Sequence, residues 1–324
     1  MTRRRYRTSR HMRGLCAEVR LHTQGFIQPL FVDEALTSPR PAAGLPGVMI
    51  DTPDSIMETV SSDLVAGVEK FLIFPIPSKS MDGGFDFRFA SSVISGLRTA
   101  FGDEIWLAAD VCLCSYTSHG HCGILNEDGS RLMNAETVRV LADYASVLAH
   151  AGVDCIAPSD MTDGRVAAIR RRLDAEGYDH VSIMSYAAKF ASQFYGPFRD
   201  ACHSAPVGAG LRDRRTYQIS PLHGGDAVDT ALRDLSEGAD ILMVKPAALY
   251  TDIIASIRRE TLAPIAAYHV SGEYAALEGL VREGLADRAT AHLEVWTALQ
   301  RSGAGIIISY AARHAKAWIQ NHIP

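Results

Sequence analysis

Three cysteines and two histidines lie within one short segment of the chain. The cysteines are Cys112, Cys114 and Cys122, and the histidines are His119 and His121. Thiolates are soft ligands that favour zinc, and three protein ligands leave a fourth coordination position open, as a catalytic zinc site requires. The spacing differs from that of a structural zinc finger, which uses a second pair of ligands. The segment therefore predicts a catalytic metal site; the alternative is a set of buried thiols in a strand and its loop.

Two lysines follow apolar runs that are typical of buried strands. Lys245 ends the apolar run 241–244, and Lys189 lies shortly after the run 180–184. Burial lowers the pKa of a lysine, and a second ammonium group nearby lowers it further. A neutral amine is the nucleophile that forms a Schiff base with a carbonyl substrate. The alternative for Lys245 alone is a side chain whose amine reaches solvent at the edge of the sheet.

Short apolar runs alternate with longer amphipathic ones along the chain. We predict strands at 70–76, 105–111, 153–157, 180–184, 240–244, 264–270 and 305–310, with a weaker one at 47–50. Most are continuous apolar runs, as expected of parallel strands that are buried on both faces. The clearest helix is 135–150, with Asn134 as its N-cap. About eight such units without a linker predict an α/β protein, a (β/α)8 barrel, whose catalytic residues lie at the carboxyl ends of the strands.

Composition argues against several classes of partner. The net charge of −5 does not favour nucleic acid, and no apolar run approaches the roughly 18 residues of a membrane span. Six cysteines, three of them in one motif, favour a reducing compartment, the cytoplasm, over a disulfide framework. Seven arginines in the first twenty residues indicate a solvated arm, since an apolar signal core is lacking there.

A series of motifs, in order, resembles the porphobilinogen synthase family, whose members are also called 5-aminolevulinate dehydratases. The matching segments are 110–123, 157–166, 184–201, 213–218, 243–247 and 268–274. The resemblance implies a (β/α)8 barrel over residues 31–324 and an arm over residues 1–30 that wraps a neighbouring subunit in a homo-oligomer, commonly an octamer. It also implies the condensation of two 5-aminolevulinate molecules to porphobilinogen, with loss of two waters, in tetrapyrrole (haem) biosynthesis.

The resemblance assigns a role to each candidate residue. Lys245 would form a Schiff base with the substrate that supplies the propionate side of the pyrrole, and Lys189 with the one that supplies the acetate side. The remaining substrate-binding residues would be Arg199, Arg214 and Gln218 for the acetate-side carboxylate, Ser271 and Tyr310 for the other carboxylate, and Asp110 and Ser159 in the same pocket. Residues 194–218 would form a mobile lid.

The same resemblance makes zinc the expected metal, held by Cys112, Cys114 and Cys122. Three thiolates and an open position complete such a site, so His119 and His121 are expected to shape the loop rather than to bind the metal.

Some positions depart from the family pattern. Thr230 stands where many bacterial relatives have a glutamate that helps to hold an allosteric magnesium, and Asp229 stands near the place of an arginine that contributes to assembly. Magnesium prefers carboxylate oxygens, so the magnesium site is doubtful unless Asp226 or Asp229 substitutes. Three alternatives to the main hypothesis follow: a specialised paralogue that acts on a related amino ketone or in a secondary pathway, a non-enzymatic zinc-binding barrel, and a class I aldolase that would not need the cysteines.

Overall fold

A closed barrel of parallel strands forms the centre of the computed structural model, which describes residues 3–78, 84–208 and 210–322. The strands in chain order are β1 (Phe26–Asp33), β2 (Arg40–Pro41), β3 (Met49–Asp51), β4 (Lys70–Ile76), β5 (Trp106–Val111), β6 (Cys155–Pro158), β7 (Ser182–Lys189), β8 (Ile241–Lys245), β9 (Ile265–His269) and β10 (Ile306–Ser309). All except β2 and β3 belong to the barrel, which closes because β1 pairs with both β4 and β10.

Most of the helices cover the outside of the barrel. They are α1 (Arg10–Leu15), α2 (Ser55–Ala66), α3 (Arg88–Phe101), α4 (Asn134–His150), α5 (Arg165–Ala175), α6 (Gly196–Ala201), α7 (Gly224–Ser236), α8 (Thr251–Glu260), α9 (Ser271–Arg282), α10 (Arg288–Arg301) and α11 (Ala315–His322). Helix α7 shows how they pack: Ala227, Thr230, Ala231 and Asp234 recur at helical spacing and are buried, and α7 contacts β7. None of the helices in the described ranges combines the length and the apolar character that a membrane crossing requires.

The predicted (β/α)8 barrel is confirmed, with one strand misplaced. Seven predicted strands overlap β4 to β10, although the predicted bounds differ from the observed ones by several residues at some ends. The weaker prediction at 47–50 was wrong as a barrel strand: it overlaps β3, which pairs with β1 outside the barrel. The eighth barrel strand is β1, which the apolar pattern did not reveal.

Polar residues in β1 explain why it was missed. Gln28, Pro29 and Asp33 interrupt the run, and proline is uncommon in central strands. Gln28 is nevertheless buried, because its amide donates to the carbonyl of Tyr310 (3.3 Å) and accepts from the backbone N–H of Arg313 (3.0 Å). The first barrel strand therefore begins at Phe26.

The segment before β1 lies on the surface. Helix α1 buries none of its residues, and the side chains of Tyr6 and Leu15 are 53% and 76% exposed. Near its end, the carbonyl of Arg20 accepts a hydrogen bond from Gln300 of α10 (3.0 Å). The segment is thus tied to the barrel near its end, while none of the residues of α1 is buried.

Helix α4 differs from its prediction at one end. Asn134 is its first residue and not its cap, because the Asn134 side chain bonds instead to the backbone of Asp163, donating to its carbonyl (2.9 Å) and accepting from its N–H (3.0 Å). These bonds join the start of α4 to the loop that follows β6.

Candidate active site

The two candidate lysines face one another across neighbouring strands. Lys189 of β7 is paired in register with Lys245 of β8, at the carboxyl end of both strands. Their side chains are buried, and the Lys189 amine donates to the carbonyl of Ser159 at the end of β6. The Lys245 amine lies 4.0 Å from the ring centre of Tyr268 and 4.9 Å from that of Phe198. Both amines thus share one enclosed, largely aromatic space.

Burial and a neighbouring positive charge both lower the pKa of Lys245. Removal from water lowers the pKa of Lys245 to about 7, and the positive charge of Lys189 adds to the effect. Asp110 opposes it, and burial raises the pKa of Asp110 itself to about 6 although both lysines act to lower it. At neutral pH a large fraction of Lys245 is therefore an uncharged amine, the form that attacks carbonyl carbon.

The three predicted cysteines come together beside these lysines. The sulfur atoms of Cys112, Cys114 and Cys122 all lie within 4.8 Å of one another, and each residue is buried. Within the described ranges, they form the one group of three or more side chains able to hold a metal ion. Three soft donors in a site shielded from water fit zinc, and Cys112 and Cys114 share a small cavity with Asp110.

The two histidines of the motif support the cysteine loop. His121 is buried, and its ring nitrogens lie 3.0 Å from the Tyr217 hydroxyl and 2.8 Å from the Leu211 carbonyl. His119 accepts a hydrogen bond at Nδ1 from the backbone of His121 (3.1 Å). Both nitrogens of His121 are therefore engaged, which supports the expected role in shaping the loop.

A buried guanidinium connects the cysteine trio to the lid segment. Arg214 donates to the carbonyls of Gly120 (2.9 Å) and Ser204 (2.6 Å). Burial would lower the pKa of Arg214, but the thiols of Cys122 and Cys114 outweigh it and raise that pKa. Hydrogen bonds among the three thiols hold the pKa of Cys122 well below its ordinary value, and the charge of Arg214 contributes. Positive charge thus favours a thiolate here.

Arg214 also lines a cavity of about 350 Å³, together with Arg199, Arg215, Gln218 and the carboxylate of Asp213. Neither Arg199 nor Arg214 forms an ion pair with a carboxylate among the described residues, and burial together with the charge of Arg214 lowers the pKa of Arg199. Both polar atoms of the Gln218 amide are buried without a hydrogen-bond partner in the described chain. Two guanidinium groups and a free amide suit a planar carboxylate.

The residues expected to hold the other carboxylate lie at the ends of β9 and β10. The Tyr310 hydroxyl is 3.4 Å from that of Tyr268, whose ring lies over Lys245. The Ser271 hydroxyl accepts from the backbone N–H of Phe198 and donates to the carbonyl of Phe194, both at 3.2 Å. Gly272 permits this close approach, since a Cβ atom there would lie 2.6 Å from the Phe194 carbonyl oxygen. Segment 194–198 therefore closes against this end of the barrel.

Residue 209 of the predicted lid lies outside the described residues.

The residues of the doubtful magnesium site do not form a ligand cluster. Thr230 is buried on α7, Asp229 is exposed and Asp226 is half-buried. Arg233, one turn further on, lies 2.5 Å from Asp163. Within the described ranges, no set of three acidic, histidine or cysteine ligands includes these side chains.

Sequence reasoning missed the aromatic residues around Lys245. Besides Tyr268 and Phe198, the rings of Tyr186 and Tyr195 lie 4.9 Å and 5.6 Å from its amine. Tyr186 and Tyr268 stand in apolar strands, where an aromatic residue is ordinarily part of the core. Tyr186 lies three residues before Lys189, and Tyr268 lies three residues before Ser271. This closeness to candidate site residues was the signal that could have identified them.

Comparison with known proteins finds close relatives. A family model described as delta-aminolevulinic acid dehydratase matches residues 1–318. A delta-aminolevulinic acid dehydratase from Bacillus subtilis strain 168 is 40% identical over 320 residues, which cover 98% of this chain and 97% of that protein. One from Methanothermobacter thermautotrophicus strain Delta H is 43% identical over 314 residues, covering 95% and 94%. The crystal structure of the Toxoplasma gondii ME49 delta-aminolevulinic acid dehydratase (porphobilinogen synthase), in complex with the reaction product porphobilinogen, superposes with a TM-score of 0.92 at 38% identity, covering 98% of this chain and 91% of that one.

The contacts of Tyr217 predict a loss of metal affinity on its mutation. Tyr217→Phe removes the hydroxyl that contacts the His121 ring and accepts from the backbone N–H of Cys122 (3.4 Å). Because the cysteine loop loses this support, we expect its affinity for zinc to fall by about 10- to 100-fold, measured by competition with a chromogenic chelator. Tyr178→Phe is the matched control, since it removes a tyrosine–histidine hydrogen bond, to His150 (3.0 Å), between the loop after α5 and the end of α4. Equal affinities in the two variants would contradict a supporting role for Tyr217.

Proposed function

This chain belongs to the delta-aminolevulinic acid dehydratase family and is a porphobilinogen synthase, a hydro-lyase of tetrapyrrole biosynthesis, and we propose that its two buried lysines perform the condensation. Two molecules of 5-aminolevulinate combine into one porphobilinogen and two waters. The observation that carries the proposal is the pairing of Lys189 with Lys245 in a buried pocket next to three thiols.

Each lysine holds one substrate molecule through a Schiff base. The neutral amine of Lys245 attacks the ketone carbon of the propionate-side substrate, a C=N bond replaces the C=O bond, and one water leaves. Lys189 reacts in the same way with the acetate-side substrate. Asp110 and Ser159 line the same pocket; the Asp110 charge faces both amines, and the Ser159 carbonyl accepts a hydrogen bond from Lys189.

Two separate groups of residues bind the carboxylates of the two substrate molecules and so determine the position of each molecule. Arg199, Arg214 and Gln218 bind the acetate-side carboxylate, which is supported by two guanidinium groups that form no ion pair with a carboxylate among the described residues. Ser271 and Tyr310 bind the other carboxylate by hydroxyl hydrogen bonds. The contacts of Ser271 with Phe194 and Phe198 support a lid that closes over this end of the pocket.

Zinc is the metal that we assign to Cys112, Cys114 and Cys122. The three buried thiols fit it, because structural and catalytic zinc both accept thiolate ligands and a fourth position remains open. When bound, zinc would supply Lewis acidity at the acetate-side substrate. For the allosteric magnesium we propose no site on this chain, since Thr230 offers a hydroxyl where a carboxylate is preferred.

We assign the protein to the cytoplasm. All six cysteines are free thiols in the structure, and the three metal ligands must remain reduced in order to bind.

The first experiment tests the reaction and its metal together. Purified protein is incubated with 5-aminolevulinate under reducing conditions, with added zinc or with a chelator, and porphobilinogen is measured. We expect product with zinc and a loss of product with the chelator that zinc restores. Folded, zinc-loaded protein that forms no product would favour the specialised paralogue, and an activity that chelation leaves unchanged would contradict the role of the cysteines.

The pairing of the lysines predicts how the reactivity of Lys245 depends on pH. Protonated lysine does not attack a ketone, so we expect the rate at which cyanoborohydride and 5-aminolevulinate label Lys245 to fall below about pH 7. In Lys189→Met the repelling charge is removed, the protonated form of Lys245 becomes more stable, and the midpoint moves to higher pH. Lys189→Arg keeps the charge and should keep the midpoint; equal midpoints in the two variants would show that Lys189 does not act on Lys245. Peptide mass spectrometry at each pH measures the label.

We also propose that the protein is a homo-oligomer, an octamer, in which the segment before β1 packs on a neighbouring copy. Exposed Tyr6 and Leu15, on a segment whose helix buries nothing, support this arrangement.

Mutation of this segment tests the assembly. We expect Leu15→Ser to lower the molar mass measured by light scattering, because the contact of the arm with its neighbour is weakened. Leu262→Ser is the control, since Leu262 is 94% exposed in the loop between α8 and β9 and should leave the mass unchanged. An unchanged mass in Leu15→Ser would contradict the arm as the source of the contact.

A further inference from the structure

Strand β7 contains one extra residue just before the catalytic end. Ser185 pairs with Leu242 of β8, and Ala188 pairs with Val244, so three steps along β7 match two steps along β8. This is a β-bulge, which bends a strand and changes the side on which the following residues point.

The bulge lets two residues that are three positions apart point the same way. In a regular strand, side chains at odd separations face opposite sides, so Tyr186 and Lys189 would face opposite sides of the barrel wall. Here the Tyr186 ring centre lies 5.5 Å from the Lys189 amine and 4.9 Å from that of Lys245. Both Tyr186 and Lys189 therefore face the interior, where Lys245 is.

A buried arginine holds the bulge from outside the barrel. Nη2 of Arg165, the first residue of α5, lies 3.1 Å from the Ser185 hydroxyl and 3.4 Å from the Tyr186 carbonyl. The same nitrogen lies 3.0 Å from Asp234 of α7, which also accepts a hydrogen bond from the Ser185 hydroxyl (2.5 Å). Arg165 thus joins the bulge to both neighbouring helices.

The network pairs two carboxylates with two guanidinium groups. Arg165, Asp160 and Asp234 have side chains that are 0% exposed, and Nε of Arg165 lies 3.5 Å from Asp160. The second guanidinium is that of Arg233, which is partly exposed and lies 3.2 Å from Asp234. Nη1 donates to the carbonyl of Thr162 (3.1 Å). A buried charge is tolerated only when it is paired and hydrogen-bonded, so these partners fix the guanidinium in one place. A rigid, planar fork that is fixed in this way can in turn fix the backbone of the bulge.

We propose that Arg165 is a positioning residue for the reaction: it holds the bulge of β7, and the bulge aims Lys189 at Lys245. The inference rests on the proposed function, since it assigns Lys189 a Schiff base. Without the bulge, the part of β7 beyond Ser185 returns to regular alternation and the Lys189 side chain turns toward the helices. Lys245 lies on β8, outside the bulge, and keeps its position.

The test measures the two lysines separately in one reaction. Enzyme is incubated with 5-aminolevulinate, the Schiff bases are reduced with borohydride, and the label on each lysine peptide is quantified by mass spectrometry. In wild-type enzyme both lysines are labelled. In Arg165→Met we expect the label on Lys189 to fall about tenfold or more relative to that on Lys245, because a displacement of about 1 Å costs up to about 100-fold in rate. Lysine keeps the positive charge but lacks the planar set of donors of a guanidinium group, so Arg165→Lys should give an intermediate ratio.

A milder variant and a control complete the design. Ser185→Ala removes only the hydroxyl between Arg165 and Asp234, about 1 kcal/mol of hydrogen bonding, and should lower the ratio of the labels about fivefold even if Arg165→Met does not fold. Arg98→Met removes comparable hydrogen bonds, to the Gly152 carbonyl (2.9 Å) and to Asp154 (2.5 Å), at the opposite end of the barrel. It should lower the melting temperature and leave the ratio unchanged.

The outcomes separate the two proposals. An unchanged ratio in folded Arg165→Met, or in Ser185→Ala, would overturn the role of Arg165 while the proposed function stands. Wild-type enzyme that is labelled on neither lysine would instead refute the proposed function, and with it the inference.

Discussion

Two positive charges at paired positions of adjacent strands are the constraint on which the rest of this structure depends. Lys189 and Lys245 lie opposite each other in a buried space, where like charges repel more strongly than in water. Burial, and next the charge of Lys189, lower the pKa of Lys245 from 10.5 to about 7, which corresponds to about 5 kcal/mol of net disfavoured charge at 1.36 kcal/mol per pKa unit. This net cost remains although Asp110 opposes it and aromatic ring faces surround the amine. The strain is useful, because it yields a neutral amine at neutral pH.

Three chemically different regions lie at the carboxyl ends of the barrel strands. The three thiols lie close to Asp110, the two guanidinium groups belong to segment 194–218, and the hydroxyls lie at the ends of β9 and β10. Arg214 belongs to two of these regions, since it binds the loop of the cysteines through the Gly120 carbonyl and also lines the cavity with Arg199. A substrate carboxylate in that cavity would therefore contact the same side chain that is hydrogen-bonded to the loop of the cysteines.

The sequence was most informative where the pattern was simple. Continuous apolar runs located β4 to β10, and reactive side chains at their ends located both lysines and the three cysteines. It was least informative where a distant part of the chain supplies the missing partner. A buried glutamine is unexpected in a central strand. Residues after the last strand provide the hydrogen bonds that allow Gln28 to be buried there. The bulge in β7 gives no apolar signal, because one extra residue in a buried run changes only the side on which the later residues point. Asn134 was mistaken for a cap for the same reason, since its partner, Asp163, comes from another loop.

The pairing of β1 with β10 has a consequence for how the protein is made. Phe26 and Ile27 pair with Ile307 and Ile308, so the first and last strands of the barrel meet only after residue 308 has been synthesised. Until then the growing chain carries its cysteines and both lysines on an open sheet with two unpaired edges, a form prone to aggregation. A ribosome that stalls before residue 306 would release a product with most of the catalytic groups and no closed barrel.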